Sequence, residues 1–235
     1  RWKGGIDIRA HGSGNAGATN TLRVLGLGPA VAVFVLDTLK GVIAVLMALW
    51  LVPETPWAHV AAGLAAVAGH NWPVWFRFRG GKGIATTIGI VATLMFFPGL
   101  AAGIVGILAI VFTRYVSLGS LLFTGLLPVS ALLFRQPAEL VWGSLIIAVF
   151  AWYRHRNNLV KLLKGEENKL GDKRAKLAVR GGSGGRGAAA ETGRAYAGSA
   201  GAEPGDPASE PNAAESTAGA GSVNPAQPVK GDNRH

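Results

Sequence analysis

Pro29-Ala30-Val31-Ala32-Val33-Phe34-Val35-Leu36-Asp37-Thr38-Leu39-Lys40-Gly41-Val42-Ile43-Ala44-Val45-Leu46-Met47-Ala48-Leu49-Trp50-Leu51-Val52 is the run that decides the fold class. A bilayer core of ~30 Å needs roughly 20 helical residues to cross it, and this run is long enough. Five shorter apolar stretches follow, at 57–72, 84–98, 99–113, 118–134 and 138–153. The pair 84–98 and 99–113 meets at Phe97-Pro98-Gly99. One unbroken helix there would overshoot the bilayer, so the sequence predicts a Pro-Gly turn that splits it in two. The expected architecture is an all-α integral membrane protein: a polytopic helical bundle with six transmembrane helices.

Charge orients the bundle. With six crossings, one side receives 1–28, 73–83, 114–117 and everything after 153; the other receives 53–56, 98–99 and 135–137. Arg1, Lys3, Arg9, Arg23, Arg77, Arg79, Lys82, Arg114, Arg154, Arg156, Lys161 and Lys164 all fall on the first side, against Arg135 on the second. Lys and Arg flanking short loops mark the cytoplasmic face. The three segments richest in glycine, polar and basic residues, 12–23, 69–87 and 154–169, then share that face.

Composition narrows the classes further. Residues 1–180 hold 19 Lys+Arg against 7 Asp+Glu, and 181–235 hold 4 against 6. The basic excess belongs to the apolar part, which argues against a nucleic-acid-binding surface. Residues 181–235 are Gly/Ala/Pro-rich and expected to form a disordered cytoplasmic tail, which leaves 1–180 as the membrane domain. Cysteine is absent, removing disulfides and thiolate chemistry, and neither metal nor cofactor is expected. Arg1–Arg9 has no apolar core of signal-peptide length.

Each polar segment suits an anion. The first reads Gly12-Ser13-Gly14-Asn15-Ala16-Gly17-Ala18-Thr19-Asn20-Thr21-Leu22-Arg23. It imitates a dinucleotide fingerprint, with Asp37 twenty residues beyond Gly17, but Asp37 lies in an apolar run far too long for a strand of a βαβ unit. What survives is a nest of small residues exposing backbone N–H groups, with Ser13, Thr19 and Asn20 as donors near Arg23. The second holds Arg79-Gly80-Gly81-Lys82-Gly83 ahead of a helix. Its spacing is not that of a Walker loop, with Phe76 and Gly83 in the wrong places, yet glycine amides, a lysine and a helix N-terminus all favour phosphate. In the third, His155 and Asn158 are i, i+3 neighbours on one helix face. Asp37 and Lys40 are read as an ion pair that braces the fold.

Together these segments resemble one family, the bacterial membrane acyltransferases that use acyl phosphate to acylate glycerol 3-phosphate. The resemblance rests on Gly-Ser-Gly-Asn-x-Gly-Ala-Thr-Asn with Arg23 beyond it, on Gly-His-Asn-x-Pro followed by Arg-Gly-Gly-Lys-Gly-x-Ala-Thr, and on His155-x-x-Asn158 with Glu167 beyond. It covers residues 6–170 in the family's order. It implies transfer of a fatty acyl group to glycerol 3-phosphate, giving lysophosphatidic acid and phosphate at a bacterial cell membrane, with the site facing the cytoplasm. Ser13, Arg23, Lys82, His155 and Asn158 match residues important for activity. Gly80, Gly81 and Gly83 match a phosphate-cradling turn and Glu167 a structural acid, while Asn15, Gly17, Thr19 and Asn20 of the first segment's anion nest are expected to bind substrate phosphate with them. The implied partners are acyl phosphate, glycerol 3-phosphate, membrane lipids and the soluble enzyme that makes acyl phosphate; nucleic acid is not among them. Similar proteins have seven membrane helices, so a first helix is expected to be missing from this sequence. The His-x-x-x-x-Asp motif of CoA-dependent acyltransferases is absent: Ala16, Leu64, Trp75 and Val160 stand where its acid would be. The rival reading is a membrane transporter of a phosphorylated anion. It would need binding near the bilayer midplane with access from both faces, and the second face carries almost nothing polar.

Overall fold

The computed structural model describes residues 7–171, and the expected tail over 181–235 lies outside them. Among the described residues the regular structure is entirely helical. After a 3-10 turn at Ile8–Ala10 come α1 (Ala18–Leu25), α2 (Leu27–Leu51) and α3 (Pro56–Asn71). A second 3-10 turn at Val74–Phe76 precedes α4 (Ile84–Leu94), α5 (Phe96–Thr113), α6 (Val116–Leu133) and α7 (Ala138–Leu163). The six apolar stretches become α2 to α7, as the hydropathy pattern predicts.

Three of these helices, α2, α5 and α6, are long and apolar enough to cross a membrane on length and composition alone. The side chains they turn outward confirm the solvent they are built for. Trp50 and Phe112 are each 81% exposed and Leu133 is 76% exposed. A belt of such residues would be an aggregation liability in water, whereas in a bilayer it faces lipid. At 11 residues α4 is short for a crossing.

The break between α4 and α5 falls at Met95 rather than at the expected Pro98-Gly99. The reason is local. Proline lacks an amide donor, but first-turn amides have no intrahelical acceptor anyway. Pro98 therefore sits inside the first turn of α5, and the chain turns before it.

Lipid tails are as apolar as leucine, so membrane helices associate by close approach rather than by hiding apolar surface from water. Glycines permit that approach here. A Cβ on Gly41 of α2 would fall on the Thr86 carbonyl of α4, and one on Gly89 would fall on the Thr38 carbonyl of α2. Gly106 of α5 and Gly119 of α6 face each other in the same way. Beneath these contacts Val45, Val67, Ile90, Leu127 and Ile147 form the core.

Candidate active site

The three polar segments meet at one end of the bundle, as the alternation of crossings predicts. Arg23 Nη2 on α1 donates to the Asn168 carbonyl at 3.4 Å. Lys82 Nζ, between α3 and α4, donates to Asn158 Oδ1 of α7. Asn158 Nδ2 donates in turn to both carboxylate oxygens of Glu167, at 2.9 and 3.0 Å. The loop after α5 joins the same end: Arg114 Nη2 donates to the Leu170 carbonyl at 2.7 Å, and the Leu170 amide returns a bond to Arg114 O.

Each side chain is placed by its element. His155 and Asn158 lie three residues apart on the last turns of α7, so they share a face. His155 is 3% exposed, and its Nδ1 donates to the Ala151 carbonyl at 2.8 Å. In the neutral ring that leaves Nε2 as an acceptor. Glu167 is buried beyond the end of α7, where it fixes the Asn158 amide with its oxygen turned to Lys82.

The electrostatics follow from this crowding. Burial pushes the Lys82 ammonium down from 10.5 to about 8; the Glu167 carboxylate opposes the shift, and the charges of Arg23, Arg154 and Lys161 add to it. Burial also lowers Arg23, again against the pull of Glu167. Several cations thus surround one carboxylate, a field that favours an additional anion.

Lys82 is aimed by an unusual turn. The Gly81 amide donates to the His70 carbonyl at 3.1 Å. On the opposite side Arg154 donates to the Gly80 carbonyl at 2.9 Å and to the Gly81 carbonyl at 2.7 and 3.0 Å. Arg154 itself lies over the Trp72 ring, 5.8 Å from its centroid. Gly83 follows at φ 79° as the residue capping α4, a left-handed conformation natural to glycine. The Gly81 amide and the Gly80 and Gly81 carbonyls are therefore engaged within the protein, while the first-turn amides of α4 point out of the helix end beyond Gly83.

The first segment is more structured than a glycine nest. Gly17 caps α1, and Arg23 lies in the last turn of that helix. Asn20 is 1% exposed and organises the loop: its Oδ1 accepts the Ser13 amide at 2.8 Å, and its Nδ2 donates to the Ile8, His11 and Asn15 carbonyls. Its polar atoms are occupied in shaping the chain around Ser13. Ser13 is exposed; Asn15, Gly17 and Thr19 are half-buried around it. The structure brings Arg23, Lys82, Asn158 and Glu167 into one charged cluster with His155 one turn before Asn158. No hydrogen bond joins Ser13, Asn15 or Thr19 to Lys82, Asn158 or Glu167.

Sequence reasoning missed two contributors. Arg154 counted only as one of many positive charges on its side, and only the fold shows its grip on the glycine turn. His70 sits in the Gly-His-Asn-x-Pro motif, which was signal enough to mark it but not to say how it acts. Among the described residues no group of His, Asp and Glu has the arrangement of a metal site.

Comparison with known proteins fits this geometry. The family model described as "Glycerol-3-phosphate acyltransferase" matches residues 1–165. The glycerol-3-phosphate acyltransferase of Shouchella clausii is 57% identical over 175 residues, covering 72% of this chain and 85% of that protein. The same enzyme of Halalkalibacterium halodurans is 54% identical over 174 residues, covering 72% and 84%. The crystal structure of PlsY (YgiH), an integral membrane glycerol 3-phosphate acyltransferase in its glycerol 3-phosphate form, superposes with a TM-score of 0.68 at 39% identity, covering 71% of this chain and 84% of that one. Its lysophosphatidic acid form gives 0.65 at 38% identity, covering 72% and 84%. The match to the family model spans all three polar segments up to Gly165, and on that ground the chain belongs to the glycerol-3-phosphate acyltransferase family.

Proposed function

We propose that this protein transfers a fatty acyl group from acyl phosphate to glycerol 3-phosphate on the cytoplasmic face of a bacterial membrane, releasing lysophosphatidic acid and inorganic phosphate. The observation that carries the reading is the cation cluster of Arg23 and Lys82 with Asn158 and Glu167 beside a glycine turn. Both substrates bear phosphate, and the cluster holds more positive than negative charge. Arg23 offers a planar fork for a phosphate, and Lys82 a point charge. Ser13, Asn15, Gly17 and Thr19 would line the acceptor side. Gly80 and Gly81 shape the turn, Gly83 exposes the amides of α4, and Asn20 holds the first loop in shape.

The chemistry is balanced without an added reagent. A terminal hydroxyl oxygen of glycerol 3-phosphate attacks the acyl carbonyl carbon and forms the new ester bond. The bond from that carbon to the phosphate oxygen breaks, and phosphate leaves with the electron pair. The hydroxyl proton passes to an oxygen of the departing phosphate, leaving His155 to orient an anion or the acceptor. Acyl phosphate is already activated, so the protein chiefly positions the two substrates and stabilises the charge that gathers on the leaving phosphate. An apolar groove of about 290 Å³ between α4, α5 and α6 begins at Ile84, next to Gly83, and runs past Ile88, Ile107 and Phe123. Its position supports an acyl chain lying there with its carbonyl near Lys82.

Donor choice tests the reaction. Initial rates of lysophosphatidic acid formation should be high with acyl phosphate, negligible with acyl-CoA at equal concentration, and inhibited by free phosphate. Efficient transfer from acyl-CoA that ignores phosphate would refute the proposal. Orientation is tested separately by single cysteines at Ser13, Arg79 and Asn157, which should react with an impermeant thiol reagent only from the cytoplasmic side.

A further inference from the structure

Asp37, Lys40 and His70 form a polar cluster that the chemistry above does not use. Asp37 lies within α2 and is 7% exposed. Its Oδ1 accepts from Lys40 Nζ at 2.6 Å and sits 3.4 Å from His70 Nδ1 at the end of α3. A carboxylate so deep in an apolar helix is expensive, and such groups pair or serve a function. Lys40 alone would satisfy a brace within α2; the histidine brings in a second element.

His70 touches the glycine turn twice. Its carbonyl takes the Gly81 amide. Its ring occupies the space where residue 81 would carry a side chain, because a Cβ on Gly81 would overlap His70 Nε2. Nδ1 faces the Asp37 carboxylate at 3.4 Å while Nε2 on the other side of the ring lies against Gly81. The peptide between Gly80 and Gly81 is thus gripped at both ends, its N–H by His70 and its C=O by Arg154. A trans peptide is planar with those two groups opposed, so two opposing contacts fix its orientation. The next residue is Lys82.

Asp37, Lys40 and His70 line a cavity of about 660 Å³ together with Gly80 and Gly81, and none of Ser13, Arg23, Lys82, His155 or Asn158 lines it. The cluster therefore stands behind the turn, away from the cations of the site. We propose that His70, oriented by Asp37, is a positioning residue that sets the Gly80–Gly81 turn and so aims Lys82 at Asn158 and the transferred phosphate. Asp37 acts as hydrogen-bond acceptor to the imidazole, and Lys40 neutralises the carboxylate. The inference rests on the placement of Lys82 at the phosphate given under Proposed function.

The test uses the full chain in native-like membranes, with kinetics normalised to folded enzyme. His70→Ala should lower kcat/KM for glycerol 3-phosphate by on the order of a hundredfold, the scale of a 1 Å misplacement, and weaken product inhibition by phosphate in parallel. Asp37→Asn keeps an oxygen to accept the Nδ1 proton and should stay near wild type, whereas Asp37→Leu should behave like His70→Ala. Wild-type kinetics per folded molecule in His70→Ala would overturn the proposal, as would equal behaviour of the two Asp37 variants. If His70→Ala does not fold, the Asp37 pair decides alone. Lys82→Ala is measured alongside: retained activity there would defeat the placement of Lys82 itself, which is a different failure.

Discussion

Lys82 makes opposite demands on activity and on stability, and replacing it with methionine separates them. The ammonium is held at about 8 in the folded protein against 10.5 in a free lysine. At ~1.4 kcal/mol for each tenfold change in proton affinity, the charge costs the fold about 3 kcal/mol at neutral pH. Methionine removes that penalty, in which the pull of Glu167 is already counted, and loses the Asn158 bond, worth ~1 kcal/mol. Lys82→Met should therefore be no less stable than wild type, and more stable by about 2 kcal/mol once that loss is subtracted. Between pH 8 and 10.5 the unfolded chain holds a proton on Lys82 that the folded chain has released. Wild-type stability contributed by this residue consequently rises with pH through that window; the methionine variant lacks the rise. Turnover should move the other way. kcat/KM of the wild type should fall above about pH 8 as the free enzyme loses the ammonium, and Lys82→Met should be nearly inactive at every pH. Thermal unfolding of the purified protein across pH, with initial rates on the same samples, measures both. A variant that unfolds at lower temperature than wild type at neutral pH, or one that turns over normally, would refute the reasoning.

Two further substitutions probe other links of the same chain. Arg154→Met removes the three bonds to the Gly80 and Gly81 carbonyls; kcat/KM for glycerol 3-phosphate should fall about tenfold or more, and unchanged kinetics would show that the turn holds its shape without the clamp. Gly89→Ala would drive a methyl into the Thr38 carbonyl, backbone that cannot rotate away, so α2 and α4 must part at about 1–3 kcal/mol. Its midpoint of thermal unfolding should drop, and a wild-type midpoint would mean the crossing is looser than described.

Much of this protein is legible from its chain because the bilayer imposes a blunt rule on long apolar runs. The six stretches appear as α2 to α7, and the alternation of sides correctly gathers segments 12–23, 69–87 and 154–169. What escaped was set by short-range detail or by partners far apart in the sequence. The turn at Met95 depends on the tolerance of a helix start for Pro98, which a Pro-Gly signal misplaces by three residues. The helix Ala18–Leu25 is too short and too close to glycines at both ends to announce itself. Asn20 reads as a free donor, yet its three donated bonds and one accepted bond are all within the loop. Arg154 and the Gly80 and Gly81 carbonyls are more than seventy residues apart, and no periodicity links them.

The bond from Asn158 to Glu167 carries a consequence for how the protein is made. Chains emerge from the ribosome amino end first, so α1 with Arg23, and then the glycine turn with Lys82, are complete while the rest is still being translated. Their partners are Asn158, Glu167 and Asn168, near the end of the described chain. A nascent protein halted before Asn158 could already hold α2 to α6 in the bilayer, with its cations gathered but Lys82 unaimed. The site closes only when the last helix and the short stretch after it arrive. On the function proposed above, insertion into the bilayer and completion of the phosphate site are therefore separate events in the life of the chain.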